Sequence, residues 1–181
     1  MTKRSSVTSA ASFKSALRTV KADLKGLGFW SKKLADINVR QTLWGLAYGW
    51  QYYRGSGDIV IPKLSIIRWF NTACYGDTFP VRDVIRHEYG HAVADCHRGI
   101  IRSAKFRDAF GMSHDDDSSS EYDDEDFVTY YASDNAGEDF AETFMYYVKH
   151  KGRIPANFDT PTIKKKWEFI KHVGCCLEEA V

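Results

Sequence analysis

The chain of 181 residues reads as an α+β protein, mostly helical around a small sheet. Three observations predict this class. Apolar residues recur at three- and four-residue intervals in several separate stretches. A single short β-branched run, Asp58 to Ile61, follows an aromatic-rich segment. The length is that of one domain, and 44% apolar residues suffice for one core without disulfide staples. Residues 1–181 are therefore read as a single domain.

The elements follow in order. Phe13, Ala16, Leu17, Val20, Leu24 and Leu27 lie at helical spacing, and Gly26 and Gly28 punctuate the end of that helix. It makes residues 1–30 a basic helical arm, either a docking surface or a cover for the core. Residues 36–54, with Trp44, Tyr48, Trp50, Tyr52 and Tyr53, read as part of the sheet. Gly55 to Gly57 mark a turn, and Asp58 to Ile61 form a strand closed by Pro62. Leu64 to Cys74 has helical character. Pro80 opens a helix that carries Val81, Val84, Ile85, Tyr89, Ala92 and Val93 to about His97, where Gly99 can end it. A shorter helix reaches Phe110, with Gly111 as its stop. Asn135 to Lys149 is helical by spacing. Thr160-Pro161 opens a last helix through Trp167, Phe169, Ile170 and Val173, ahead of Gly174.

Charge narrows the partners. Lys and Arg number 25 against 24 Asp and Glu, a net +1 that proposes neither nucleic acid nor a membrane surface. The average hides a block. Residues 114–126 hold eight carboxylates and no Lys or Arg, so removing their eight negative charges takes the rest of the chain from +1 to +9. The block lacks the glycine and ligand register of a calcium loop and is expected to be a mobile, solvated insertion. Cys74, Cys96, Cys175 and Cys176 form no CxxC pair, and free thiols suit a reducing compartment. No apolar run approaches the ~20 residues of a membrane span, and no secretory signal pattern is visible at the start. The expectation is a cytoplasmic protein, with export by a leaderless route left open. Oligomeric state is not encoded in these patterns.

The chemistry is carried by His87-Glu88-Tyr89-Gly90-His91, an HExxH. Helical residues four apart share a face, so both imidazoles can address one ion from adjacent turns. Glu88, rotated by about 100°, can reach a water on that ion without occupying the metal. Two neutral imidazoles, an open position and a nearby base are what a catalytic Zn²⁺ requires. Apolar Val84, Ile85, Ala92 and Val93 make this a buried helix, and buried histidines need partners.

A third ligand has two candidates. His97 gives HExxHxxAxxH, but Ala94 stands where a chain-reversing glycine would be needed, and six helical residues rotate His97 about 240° away from His91. Glu138 and Glu142 stand four apart beside the apolar stripe of Phe140, Phe144, Tyr147 and Val148. Two acids so placed need positive charge nearby. One as a ligand and one holding a histidine's second N–H would satisfy both.

HEYGH followed by this ExxxE helix, with Tyr131 seven residues before Glu138, resembles the gluzincin metallopeptidases. Within them the pattern is similar to the group that includes the catalytic domain of anthrax lethal factor. The resemblance covers about sixty residues. It implies a zincin-like fold, with a small twisted sheet whose edge strand receives substrate above the active-site helix; Asp58 to Ile61 is the candidate edge. It implies one Zn²⁺ held by His87, His91 and Glu138, with Glu88 as general base. Glu142 would support a ligand histidine, where many gluzincins have aspartate. Tyr131 would steady the oxyanion, although neighbouring Tyr130 could face the site instead. The acidic insertion departs from the pattern and the family's substrate-recognising domains are missing, so its substrates are not carried over.

The function expected is zinc-dependent hydrolysis of peptide bonds in a protein or peptide bound in extended form. The alternative is a non-catalytic zinc-binding or interaction module on a peptidase-like fold. A closed structural site would need a fourth protein ligand, for which His97 and His114 are the histidines close in sequence.

Overall fold

A computed structural model describes residues 8–30, 37–53, 56–66, 80–116 and 120–178. They form a mixed α/β fold, mostly helical with a small sheet. Helix α1 (Ala10–Gly26) begins at Ser9, whose hydroxyl accepts from the Ser12 N–H, and buries Phe13, Ala16, Val20 and Leu24. Strands β1 (Ile37–Gly45), β2 (Gly49–Tyr53) and β3 (Ser56–Ser65) follow. Then come α2 (Val81–Cys96), α3 (Arg98–Ile101), α4 (Ala104–Phe110), α5 (Ala136–Lys149) and α6 (Pro161–Glu178). Among the described residues no helix is long and apolar enough to cross a membrane.

The sheet order is β1-β3-β2, with β1 parallel and β2 antiparallel to β3. Asp58 to Ile61 therefore lies in the central strand, not at the edge. Alternation explains its place: Gly57, Ile59 and Ile61 are buried while Asp58 and Val60 are half-buried. The aromatic strand β2 is one edge, and both β2 and the central β3 pack on α2. Gly57 belongs to β3 rather than to the turn. A Cβ there would collide with the Trp50 ring and the Gln51 carbonyl, so the glycine lets the indole lie across the strand. Pro62 does not close the strand, which continues to Ser65. Because β2 ends opposite Val60, Pro62 has a ladder partner on one side alone, where a missing N–H is tolerated. Leu64 and Ser65 are thus strand, and most of the helix expected to run on to Cys74 lies outside the described residues.

Two glycines read as stops are not. Helix α2 ends at His97 (φ −126°, ψ 44°), and Gly99 sits within α3. Gly174 lies inside α6, where a Cβ would come 2.8 Å from the Leu27 carbonyl, so it permits α6 to cross the end of α1. Gly111, at φ +79°, does cap α4.

Helix α1 covers the core. Its Asp23 accepts from buried Arg86 on α2 at 2.7 Å, and the Thr8 N–H donates to the Lys63 carbonyl at 3.0 Å. The acidic segment is tied at both ends: Asp115 to Arg102 at 2.8 Å, and Asp126 to Thr160 and Lys166, each at 2.7 Å. Cys96, Cys175 and Cys176 form no disulfide.

Candidate metal centre

Helices α2 and α5 meet along a seam of small residues. A Cβ on Gly90 would stand 3.0 Å from the Ala141 Cα, so the two backbones are in near contact. His87, about one turn before Gly90, and His91, the residue after it, meet Glu138 of α5. There Asn135 caps the helix, its side-chain oxygen accepting the Glu138 N–H at 2.9 Å, and this sets Glu138 in the first turn.

The donor atoms converge. His87 Nε2 and His91 Nε2 are 3.2 Å apart, and Glu138 Oε2 lies 3.3 Å from the first and 3.4 Å from the second. These three residues are the metal-competent group found among the described residues. A tetrahedron with arms of 2.0–2.1 Å has edges of about 3.3 Å, so the triangle has the dimensions of three corners of a zinc site. Glu138 Oε2 is buried and has no hydrogen-bond partner of normal geometry. A buried carboxylate oxygen left this way is destabilising unless a cation receives it. The residues present fit a divalent ion with one corner left open.

Charge at the site agrees with that fit. Burial alone would lower the His87 pKa, but Glu138, Glu142 and Glu88 overcome it and raise it from 6.5 to about 9. Burial likewise opposes ionisation of Glu138, yet the two imidazoles hold its carboxyl far below the usual range. With no metal ion between them, the carboxylates keep a proton on His87. The centre is built to hold positive charge.

Around the triangle, each remaining candidate takes a definite place. Glu142 Oε1 is 2.7 Å from His87 Nδ1, the ring atom turned away from the triangle. Glu88 is 8% exposed; burial raises its pKa, while the two imidazoles and a hydrogen bond from the Trp50 backbone pull it back. Tyr131 has its ring centroid 6.0 Å from that of His87, and its hydroxyl lies within the field of the Glu138 carboxylate. Burial and the Glu138 charge raise its pKa, so it remains a proton donor. Tyr130 is 91% exposed, so of the neighbouring pair Tyr131 is the one that faces the centre.

His97 terminates α2 and is not among the converging donors. His114 does not join them either. It stacks edge-on against Phe106 and Phe140, beside Gly137, where burial lowers its pKa. Comparison with family models, with curated proteins and with solved structures yields no match. The functional reading therefore rests on the site itself.

Two contributors had no signal in the sequence pattern. Trp50 donates from its indole to Asp95 on α2 at 2.9 Å, so one residue pins β2 to the helix that carries the motif. Thr129 donates to Glu142 Oε2 at 2.8 Å. Nothing in spacing or composition distinguishes either from a packing residue.

Proposed function

We propose that the protein is a zinc-dependent metalloendopeptidase with a zincin-like arrangement of edge strand and active-site helix. His87, His91 and Glu138 hold the ion, and Glu142 orients His87. When bound, zinc supplies Lewis acidity, lowering the pKa of water to near 7 and polarising a carbonyl. Glu88 takes a proton from the attacking water and delivers it to the leaving amine. Its burial and raised pKa suit an acid–base group that must work in both directions. The Tyr131 phenol donates to the oxyanion that forms at the scissile carbon, a contribution of ~3 kcal/mol when such a donor is preorganised. Among the described residues β2 pairs with β3 along one side only, and the other side is a place for an extended peptide to add as a further strand.

One observation carries this reading: the buried Glu138 Oε2, with no hydrogen-bond partner of normal geometry, lies 3.3 and 3.4 Å from two imidazole nitrogens, the spacing of donors that share one ion. Among the described residues, three protein donors rather than four favour an open, catalytic site over a structural one. The test is zinc content of the purified protein together with cleavage of an unstructured protein substrate, for wild type and Glu88→Gln. The expected result is one zinc per chain in both and cleavage by wild type alone. Full activity in Glu88→Gln removes Glu88 as the base, and zinc binding without cleavage in wild type leaves a non-catalytic zinc module.

A further inference from the structure

We propose that Thr129 is a positioning residue whose single hydroxyl ties the Tyr131 turn to the His87 imidazole. This rests on the metal-centre reading above. The Ala132 N–H donates to Thr129 Oγ1 at 3.1 Å, and Thr129 Oγ1 lies 2.8 Å from Glu142 Oε2. A hydroxyl has one proton and two lone pairs. With Ala132 donating into a lone pair, that proton is directed to the carboxylate. The other oxygen of Glu142 faces His87 Nδ1 at 2.7 Å. Glu142 is thus fixed as an acceptor, so Nδ1 keeps its proton and, when His87 is neutral to receive a metal, Nε2 is the nitrogen whose lone pair is directed toward His91 and Glu138.

The same hydroxyl governs Tyr131. Ala132 follows Tyr131 in the single 3-10 turn Tyr131–Ser133, and its N–H also reaches the Thr129 carbonyl at 3.2 Å. Buried Phe127 and Val128 anchor the chain just before the turn, and fully buried Ala132 anchors it just after. Between these anchors Tyr131 is half exposed, and the Thr129 hydroxyl is a hydrogen-bonded link from the turn to the helix that carries Glu138 and Glu142. Loss of that group releases Glu142 from one side and Tyr131 from the other.

The experiment uses the full chain with Thr129→Val, which keeps the shape and removes the hydroxyl, and Thr129→Ser, which keeps the hydroxyl. Zinc affinity is read by chelator competition. Thr129→Val is expected to bind zinc about 10- to 100-fold more weakly, as for loss of other groups that orient a ligand. Thr129→Ser is expected to return affinity to near the wild-type value. At saturating zinc, the kcat losses of Thr129→Val and Tyr131→Phe should combine to less than their product, because both act through the same phenol. Should Thr129→Val not fold, Thr129→Ala takes its place. Unchanged zinc affinity in the variant lacking the hydroxyl overturns the proposal, as does failure of serine to rescue. Wild type that binds zinc but cleaves nothing defeats the peptidase reading and leaves the affinity arm to decide the role of Thr129. Wild type that binds no zinc defeats both.

Discussion

Gly90 of α2 and Ala141 of α5 touch so closely that a Cβ on the glycine would lie 3.0 Å from the alanine's Cα. This contact explains why the residues of the metal-competent group can be short of reach and still meet. Histidine and glutamate side chains span only a few ångströms, and the two helices that carry them must approach within backbone contact. Gly90 is the variable position of HExxH that faces the partner helix, and Ala141 occupies the matching place between Glu138 and Glu142.

Widening that seam should separate the donors. Gly90→Val is expected to destabilise the protein by about 1–3 kcal/mol, as for other overpacked helix contacts, and to weaken zinc binding. Gly90→Ala should do the same to a smaller extent, since the neighbour has to yield only a few tenths of an ångström. Denaturant unfolding and chelator competition measure the two effects separately.

The two tyrosines should behave oppositely. Tyr131→Phe is expected to lower kcat about 10²- to 10³-fold with zinc content unchanged, because in the proposed mechanism the phenol donates to the oxyanion and is not in the ligand set. Tyr130→Phe should leave kcat alone, since its side chain points to solvent. Steady-state kinetics on both variants, with metal analysis, decide the matter.

A pH dependence follows from His87. Its pKa in the metal-free fold is raised from 6.5 to about 9, so the folded protein holds that proton more tightly than the unfolded chain does. The stability so contributed is present in full below about 6.5 and is lost as the pH climbs through about 9. Zinc takes over the role of the proton, and its affinity should increase across the same window as His87 gives up the competing proton. Thermal melts at pH 6.5 and 9 should show metal-free protein losing stability, and zinc-loaded protein gaining relative to it.

The buried pair at the far side of α5 is structural. Lys166 is fully buried, 2.7 Å from Asp139, and its ammonium also reaches the Asp126 carbonyl. Burial raises Asp139 to about 6 despite this partner. Asp139→Asn is expected to destabilise the protein by about 3–5 kcal/mol, since it leaves a buried ammonium short of its counter-charge. Replacing both residues with apolar ones of similar volume should recover much of that loss. Chemical denaturation of the single and double variants measures it.

Much of the fold was legible locally. Helical spacing placed α1, α2, α4, α5 and α6 to within a few residues, because one buried face imposes a period near 3.6. Punctuation by glycine was legible at Gly111 and misleading at Gly57, Gly99 and Gly174. At Gly57 and Gly174 the missing Cβ makes room for another part of the chain, the Trp50 ring and the Leu27 carbonyl, and no local pattern records that neighbour. The order of the strands was hidden for the same kind of reason. A β-branched run announces burial, and the more buried strand is the central one, so Asp58 to Ile61 took the middle and the aromatic β2 took the edge.

By itself, the order of amino acids determined which side chains share a helical face: His87 with His91, and Glu138 with Glu142. That follows from the rise and twist of a single helix, which depend on neighbours a few residues away. Tertiary structure alone decided that the two faces meet, that His97 stays out and Tyr131 turns in, and that Trp50 and Thr129 brace the arrangement. Those outcomes depend on packing between segments dozens of residues apart, where the size of one side chain, such as the hydrogen of Gly90, sets how near two helices can come.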